Sequence, residues 1–108
     1  MAELVLVTGG LGPTEDDLTR YALAEAMGTE LVLDDPSLAE ITEFFRSRNR
    51  EMTNVNRVQA MIPRSTVPLC NPLGTAPGMA TLLNEAWVFV LPGVPWEMQR
   101  MLEDHLLS

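Results

Sequence analysis

Apolar positions along the chain follow two rhythms, one suited to strands and one to helices. Leu4, Val5, Leu6 and Val7 form an unbroken run with two β-branched members, the pattern of an interior strand covered on both faces, as in a parallel sheet. Over residues 15–27, Leu18, Tyr21, Ala22, Leu23 and Ala26 recur at a spacing of about 3.6 residues, and Gly28 follows as a stop, which predicts a helix. Residues 31–33 form a short extended piece. Asp35 and Pro36 then open a second helix, with Leu38, Ile41, Phe44 and Phe45 on its buried face. Thr53 caps a third helix over residues 53–61, which faces Val55, Val58 and Met61 inward and stops before Pro63. Residues 67–70 read as a short strand. Residues 79–83 and 87–91 are apolar runs joined by Asn84, Glu85 and Ala86, which predicts an antiparallel hairpin and therefore a mixed sheet. Pro95 opens a last helix with Trp96, Met98, Met101, Leu102 and Leu106 as its apolar positions.

Composition narrows the classes. The chain has 108 residues, enough for one domain, and 46% of them are hydrophobic. Seven basic residues against fifteen acidic give a net charge of −8, which argues against nucleic acid or an anionic membrane as partner. The single cysteine, Cys70, excludes an internal disulfide framework and fits a reducing, cytoplasmic setting. No apolar run approaches the roughly 18 residues of a membrane span, and no signal peptide is expected. Arg46, Arg48 and Arg50 gather at a helix C-terminus, where the dipole favours cations; His105 reads as surface.

The candidate chemistry lies where strands run into glycine and proline. Gly9, Gly10 and Gly12 follow the first strand, so that backbone N–H groups can approach an anion closely. Thr14 reads as the cap of the next helix, with Asp17 completing a capping box, and this helix start would lend partial positive charge to a phosphate. The spacing completes neither the Walker nor the dinucleotide pattern. Glu15, Asp16 and Asp17 suit the helix dipole, but a carboxylate beside a phosphate loop also invites a divalent cation, which makes Asp16 and Asp17 candidate metal contacts. Two further loops, residues 71–78 and 91–95, carry Pro and Gly in the same way. If the strands before residues 9 and 92 are adjacent, their loops line one crevice.

In wording and order, TGGLGPTEDDLT (residues 8–19), Asn56-Arg57 with Gln59-Ala60 and Pro63, NPLGTAPGM (71–79) and VFVLPGVPWEM (88–98) resemble the amino-terminal domain of the CinA family, in the molybdopterin-binding-like superfamily with MogA and MoeA. The resemblance implies a three-layer α/β/α fold with a mixed, mostly parallel sheet. It also implies that the family's first strand–helix–strand part and its amidase domain are missing, so that residues 1–108 form a partial domain whose first strand keeps an open edge. A homo-oligomer, most simply a dimer, would cover that edge. The implied activity is metal-dependent hydrolysis of ADP-ribose, with magnesium or a similar divalent ion and potassium. Asp17 would be catalytic, holding the metal with Asp16 or positioning the attacking water. Gly9, Gly10, Gly12 and Thr14 would hold phosphate; Asn71, Gly74, Thr75 and Pro77 would form a second loop over the nucleotide or pterin, and Pro92 and Gly93 a third. Two other readings stand beside the hydrolase: a non-catalytic module binding molybdopterin or a nucleotide, and an oligomerising remnant.

Overall fold

The computed structural model describes residues 4–14 and 17–106. Four strands form the main sheet in the order β1 (Leu4–Thr8), β6 (Ala86–Leu91), β5 (Gly78–Leu83), β4 (Val67–Leu69). β1 runs parallel to β6, with Leu4 opposite Trp87 and Thr8 opposite Leu91, whereas β6–β5 and β5–β4 are antiparallel. A separate antiparallel ribbon pairs β2 (Leu31–Leu33) with β3 (Met61–Pro63). The sheet is mixed, as the hairpin required, but it is not mostly parallel. Only one of its three pairings is parallel, because β4, β5 and β6 are joined by short connections that force antiparallel neighbours.

The helices are α1 (Thr19–Met27), α2 (Asp35–Ser47), α3 (Asn54–Arg57) and α4 (Pro95–Met101), the last continuing into a π-helical turn, Leu102–Leu106. One core gathers Leu11, Leu23, Ile62, Met79, Val88 and Val90 between α1 and the sheet; a second gathers Ile41, Phe45 and Ala60 under α2. α2 starts at Asp35, so the cap is Asp34 and not Asp35: Asp34 Oδ2 accepts from the Ser37 N–H at 3.0 Å.

Three expectations change. The first strand is not interior: Leu4, Val5 and Leu6 are all exposed, because β6 flanks it on one side only among the described residues. α1 starts at Thr19 rather than near residue 15 and buries Arg20, Leu23 and Ala24, leaving Leu18 and Tyr21 exposed. Asp17 does not enter the helix. Its N–H donates to the Thr14 carbonyl at 3.1 Å and its Oδ2 accepts the Thr14 hydroxyl at 2.6 Å, closing a turn of its own. The third helix breaks into α3, a 3-10 turn at Val58–Ala60 and β3, because pairing with β2 draws Met61 into a strand; Val55 is left exposed.

Candidate functional site

The loop after β1 is built by what happens to its carbonyls. The Thr19 hydroxyl donates to Gly9 O at 2.7 Å and the Thr19 N–H to Gly10 O at 3.1 Å. The buried Arg20 guanidinium donates to Leu11 O and, at 3.1 Å, to Gly12 O. Four successive carbonyls are thus turned toward the start of α1. In a trans peptide the next residue's N–H points opposite to the carbonyl, and no peptide here is cis. The N–H groups of Gly10, Leu11 and Gly12 therefore project away from α1; that of Gly12 meets the Asp17 carboxylate, which leaves those of Gly10 and Leu11 as an anion-binding nest, and Pro13 has no N–H to add. Glycine is required at position 10, where φ is +73° and a Cβ would collide with the Thr19 hydroxyl.

Two other loops close on this one. Because β1 and β6 are parallel neighbours, their following loops leave side by side: Gly9 N–H donates to Leu91 O at 2.9 Å, and a Cβ on Gly93 would stand 3.1 Å from Gly9 Cα. Residues 73–76 of the 71–77 loop line the same cleft as Gly9–Gly12. Buried Asn71 folds it by donating to Ala76 O at 2.9 Å, accepting from Leu73 N–H at 3.1 Å and donating to Glu97 Oε1 at 2.8 Å. Gly74 lies so close to that carboxylate that a Cβ would collide with it. Between the loops lies a cleft of about 620 Å³, floored and walled by Gly9–Gly12, Gln59, residues 73–76 and 92–94, Phe44, Trp96, Asp17 and Glu97.

Of the residues singled out from the sequence, Gly9, Gly10, Gly12, Asp17, Gly74, Thr75, Pro92 and Gly93 meet in this cleft. Asn71 and Pro77 do not line it; they line a neighbouring cavity of about 460 Å³ between α2 and the 71–77 loop, reached past the shared Phe44, Gly74 and Thr75. Thr14 does not line the cleft; it lines a groove with Leu18, Tyr21 and Val55. Asp16 lies outside the described residues. The Thr14 hydroxyl holds the Asp17 carboxyl below its ordinary value. Burial opposes this; the Thr14 and Gly12 N–H groups and the Arg20 charge add to it. Burial lowers the pKa of Arg20 in turn, with Tyr21 and Asp17 opposing. Asp17 is thus an ionised brace of the loop. Among the described residues no three His, Cys, Asp or Glu side chains converge as a metal cage.

Four contributors are absent from the sequence-level site: Thr19, Arg20, Gln59 and Trp96. Thr19 closes the TGGLGPTEDDLT stretch, and Trp96 follows the second Pro-Gly loop, so proximity to a motif could have flagged both. Trp96, expected in the core, is 65% exposed at the rim of the cleft. Gln59 stands in the Gln59-Ala60 segment that carries the resemblance, which could have flagged it, whereas nothing local marks Arg20; each is only 2% exposed.

Residues 1–108 match the family described as a probable molybdopterin binding domain. A CinA-like protein of Syntrophotalea carbinolica is 48% identical over 105 residues, which are 97% of this chain and 26% of that protein. A Shewanella oneidensis protein named nicotinamide-nucleotide amidohydrolase PncC is 43% identical over 106 residues, 98% of this chain and 25% of that protein. The chain thus spans about a quarter of the length of the curated relatives it matches. The crystal structure of the protein CinA, of unknown function, from Thermoplasma acidophilum superposes with a TM-score of 0.83 at 39% identity, covering 94% of this chain and 59% of that one. The expectation of an ADP-ribose pyrophosphatase is corrected by these relatives, since the activity named among them is cleavage of an amide and not of a phosphoanhydride. By its matched residues, its loops and its fold, this chain belongs to the molybdopterin-binding-domain family, in the CinA-like branch.

Proposed function

We propose that this domain is a binding module for a phosphorylated small molecule with a planar ring, a nucleotide or a pterin, held in the cleft between the three loops. The observation that carries the reading is the set of four carbonyls tied back by Thr19 and Arg20, which leaves consecutive N–H groups aimed away from α1. The phosphate belongs at that nest. The ring belongs toward Phe44 and Trp96, which border the same cleft and offer flat apolar faces. Asp17 and Glu97 add negative charge to the cleft, so a magnesium ion shared between Asp17 and the ligand's phosphate oxygens would offset the repulsion. Magnesium needs only one or two carboxylates when phosphate supplies other ligands.

Calorimetric titration with AMP and nicotinamide mononucleotide, each against its nucleoside and each with and without magnesium, tests this. Charge-assisted hydrogen bonds contribute about 1.5–3 kcal/mol each, so removing the phosphate should weaken binding about tenfold or more, and chelating magnesium should weaken the nucleotides but not the nucleosides. Equal binding of nucleotide and nucleoside, or no binding of either, would refute the proposal.

A further inference from the structure

Of the two carboxylates that line the cleft, Asp17 is committed to its own loop and Glu97 is not. Asp17 Oδ2 accepts the Thr14 hydroxyl at 2.6 Å and the Thr14 N–H at 3.1 Å, and the Gly12 N–H meets the same carboxylate. Glu97, in the first turn of α4, gives only Oε1 to the fold, accepting from the Asn71 amide at 2.8 Å. Its Oε2 has no hydrogen-bond partner among the described residues, yet it is not sealed away. Glu97 is half-buried, and the buried side-chain oxygen without a partner among the described residues is Gln59 Oε1, so Glu97 Oε2 keeps contact with solvent in the cleft. The carboxylate is also fixed in place. Asn71 is buried and anchored at Ala76 O and the Leu73 N–H, and a Cβ on Gly74 would collide with Glu97 Oε1 and stand 3.0 Å from Oε2. Holding the 71–77 loop does not need the charge, because a glutamine would offer Asn71 the same oxygen. The first turn of α4 favours an acid modestly, whereas a negative charge opposes a phosphate in the same cleft.

We infer that Glu97 recognises the sugar of the bound ligand, its carboxylate accepting hydrogen bonds from the vicinal hydroxyls of a ribose, so that the cleft takes a ribonucleotide. The inference rests on the proposed binding function and names the ligand class within it. A carboxylate in its charged form only accepts, at about four sites, and Asn71 fills one of them. Its remaining partner must therefore bring uncharged O–H or N–H donors. With the phosphate at the Gly10 and Leu11 N–H groups and the ring against Phe44 and Trp96, the part of a nucleotide that joins them is its ribose, and Glu97 follows Trp96 directly in the chain. An acidic side chain serves ribose hydroxyls in the same way in dinucleotide-binding folds. A pterin phosphate brings no ribose diol, so this contact favours the nucleotide.

Calorimetric titration of AMP, 2′-deoxy-AMP, 3′-deoxy-AMP and inorganic phosphate, all with magnesium present, tests this. Each deoxy compound keeps the phosphate and the ring and lacks one donor. The unmodified chain should bind AMP about tenfold or more tightly than either, since the lost hydrogen bond is one to a charged group. Glu97→Gln preserves the oxygen that Asn71 uses. It should remove most of the preference for AMP while binding inorganic phosphate at least as tightly as the parent, because a negative charge has left the cleft. A purely structural Glu97 would give neither sign: loosening the 71–77 loop would weaken AMP and its deoxy forms by the same factor. Equal affinity for all three nucleotides in the parent, which needs no variant to observe, overturns the inference, and so does a preference that survives Glu97→Gln in a variant that melts with the parent. Nucleotides that bind equally well but more tightly than adenosine overturn this inference alone, whereas binding of none removes it together with the proposed function.

Discussion

Arg20 is where the two halves of the site depend on a single side chain. A buried cation is ordinarily a liability, and replacing a buried ion pair wholesale with apolar residues is often neutral or stabilising. Arg20 differs because its partners are backbone carbonyls, Leu11 O and Gly12 O, which no substitution can remove. Taking the guanidinium away leaves both carbonyls facing α1 without a donor, at about 1–3 kcal/mol each. Arg20→Met is therefore expected to lower unfolding stability by about 2–4 kcal/mol, read as a shift in denaturant midpoint. Arg20→Lys should recover only part of this, because an ammonium does not reproduce the planar fork. A Met variant as stable as the parent would mean that the carbonyls turn to solvent and that the loop is not held from behind.

At the scale of elements, what is local in physics was legible and what depends on distant partners was not. The hairpin β5–β6 is set by two apolar runs and a short polar break, and it forms as read, with Leu83 opposite Ala86. α2 likewise follows from its own Pro, its cap and its apolar spacing. In contrast, the spacing of Val55 and Val58 fits a helix, yet Met61 leaves it because β2, some thirty residues earlier, offers strand pairing. The buried face of α1 was misread for the same reason: Arg20 turns inward only because the carbonyls of the preceding loop lie there. Within the site, the glycine and proline loops were visible in the sequence because turn chemistry is local, while the burial of Gln59 and the exposure of Trp96 are consequences of assembly. The hairpin turn also carries a correctable fault. Asn84 and Glu85 have φ values of +51° and +68°, the signature of a type I′ turn. Asn tolerates that region but Glu does not, so Glu85→Gly, completing the favoured Asn-Gly pair, should add about 0.5–1 kcal/mol. Differential scanning calorimetry would show a raised melting temperature; a lower one would mean that the added freedom of glycine in the unfolded chain outweighs the relief of strain.

On the scale of the whole molecule, the two edges of the main sheet are not equivalent. β4 carries Pro68, which cannot donate to a further strand and blunts that edge. β1 carries no proline and no charge, its sequence is LVLVT, and among the described residues only β6 pairs with it. Leu4 at 61%, Val5 at 41% and Leu6 at 45% exposure make it an apolar strand with an open row of N–H and C=O groups. Such an edge is a template for another strand, and a second copy of the chain presents an identical one. Opposing this is the net charge of −8, whose mutual repulsion is felt over about 10 Å at 0.1 M salt and only about 3 Å at 1 M. The balance is expected to tip with ionic strength: sedimentation velocity should show concentration-dependent dimers that grow as salt is raised. Val5→Lys should abolish them by placing like charges face to face across the new pairing, without disturbing β1–β6. Association that weakens with salt would assign the contact to charged side chains instead, and association unchanged by Val5→Lys would place it away from β1.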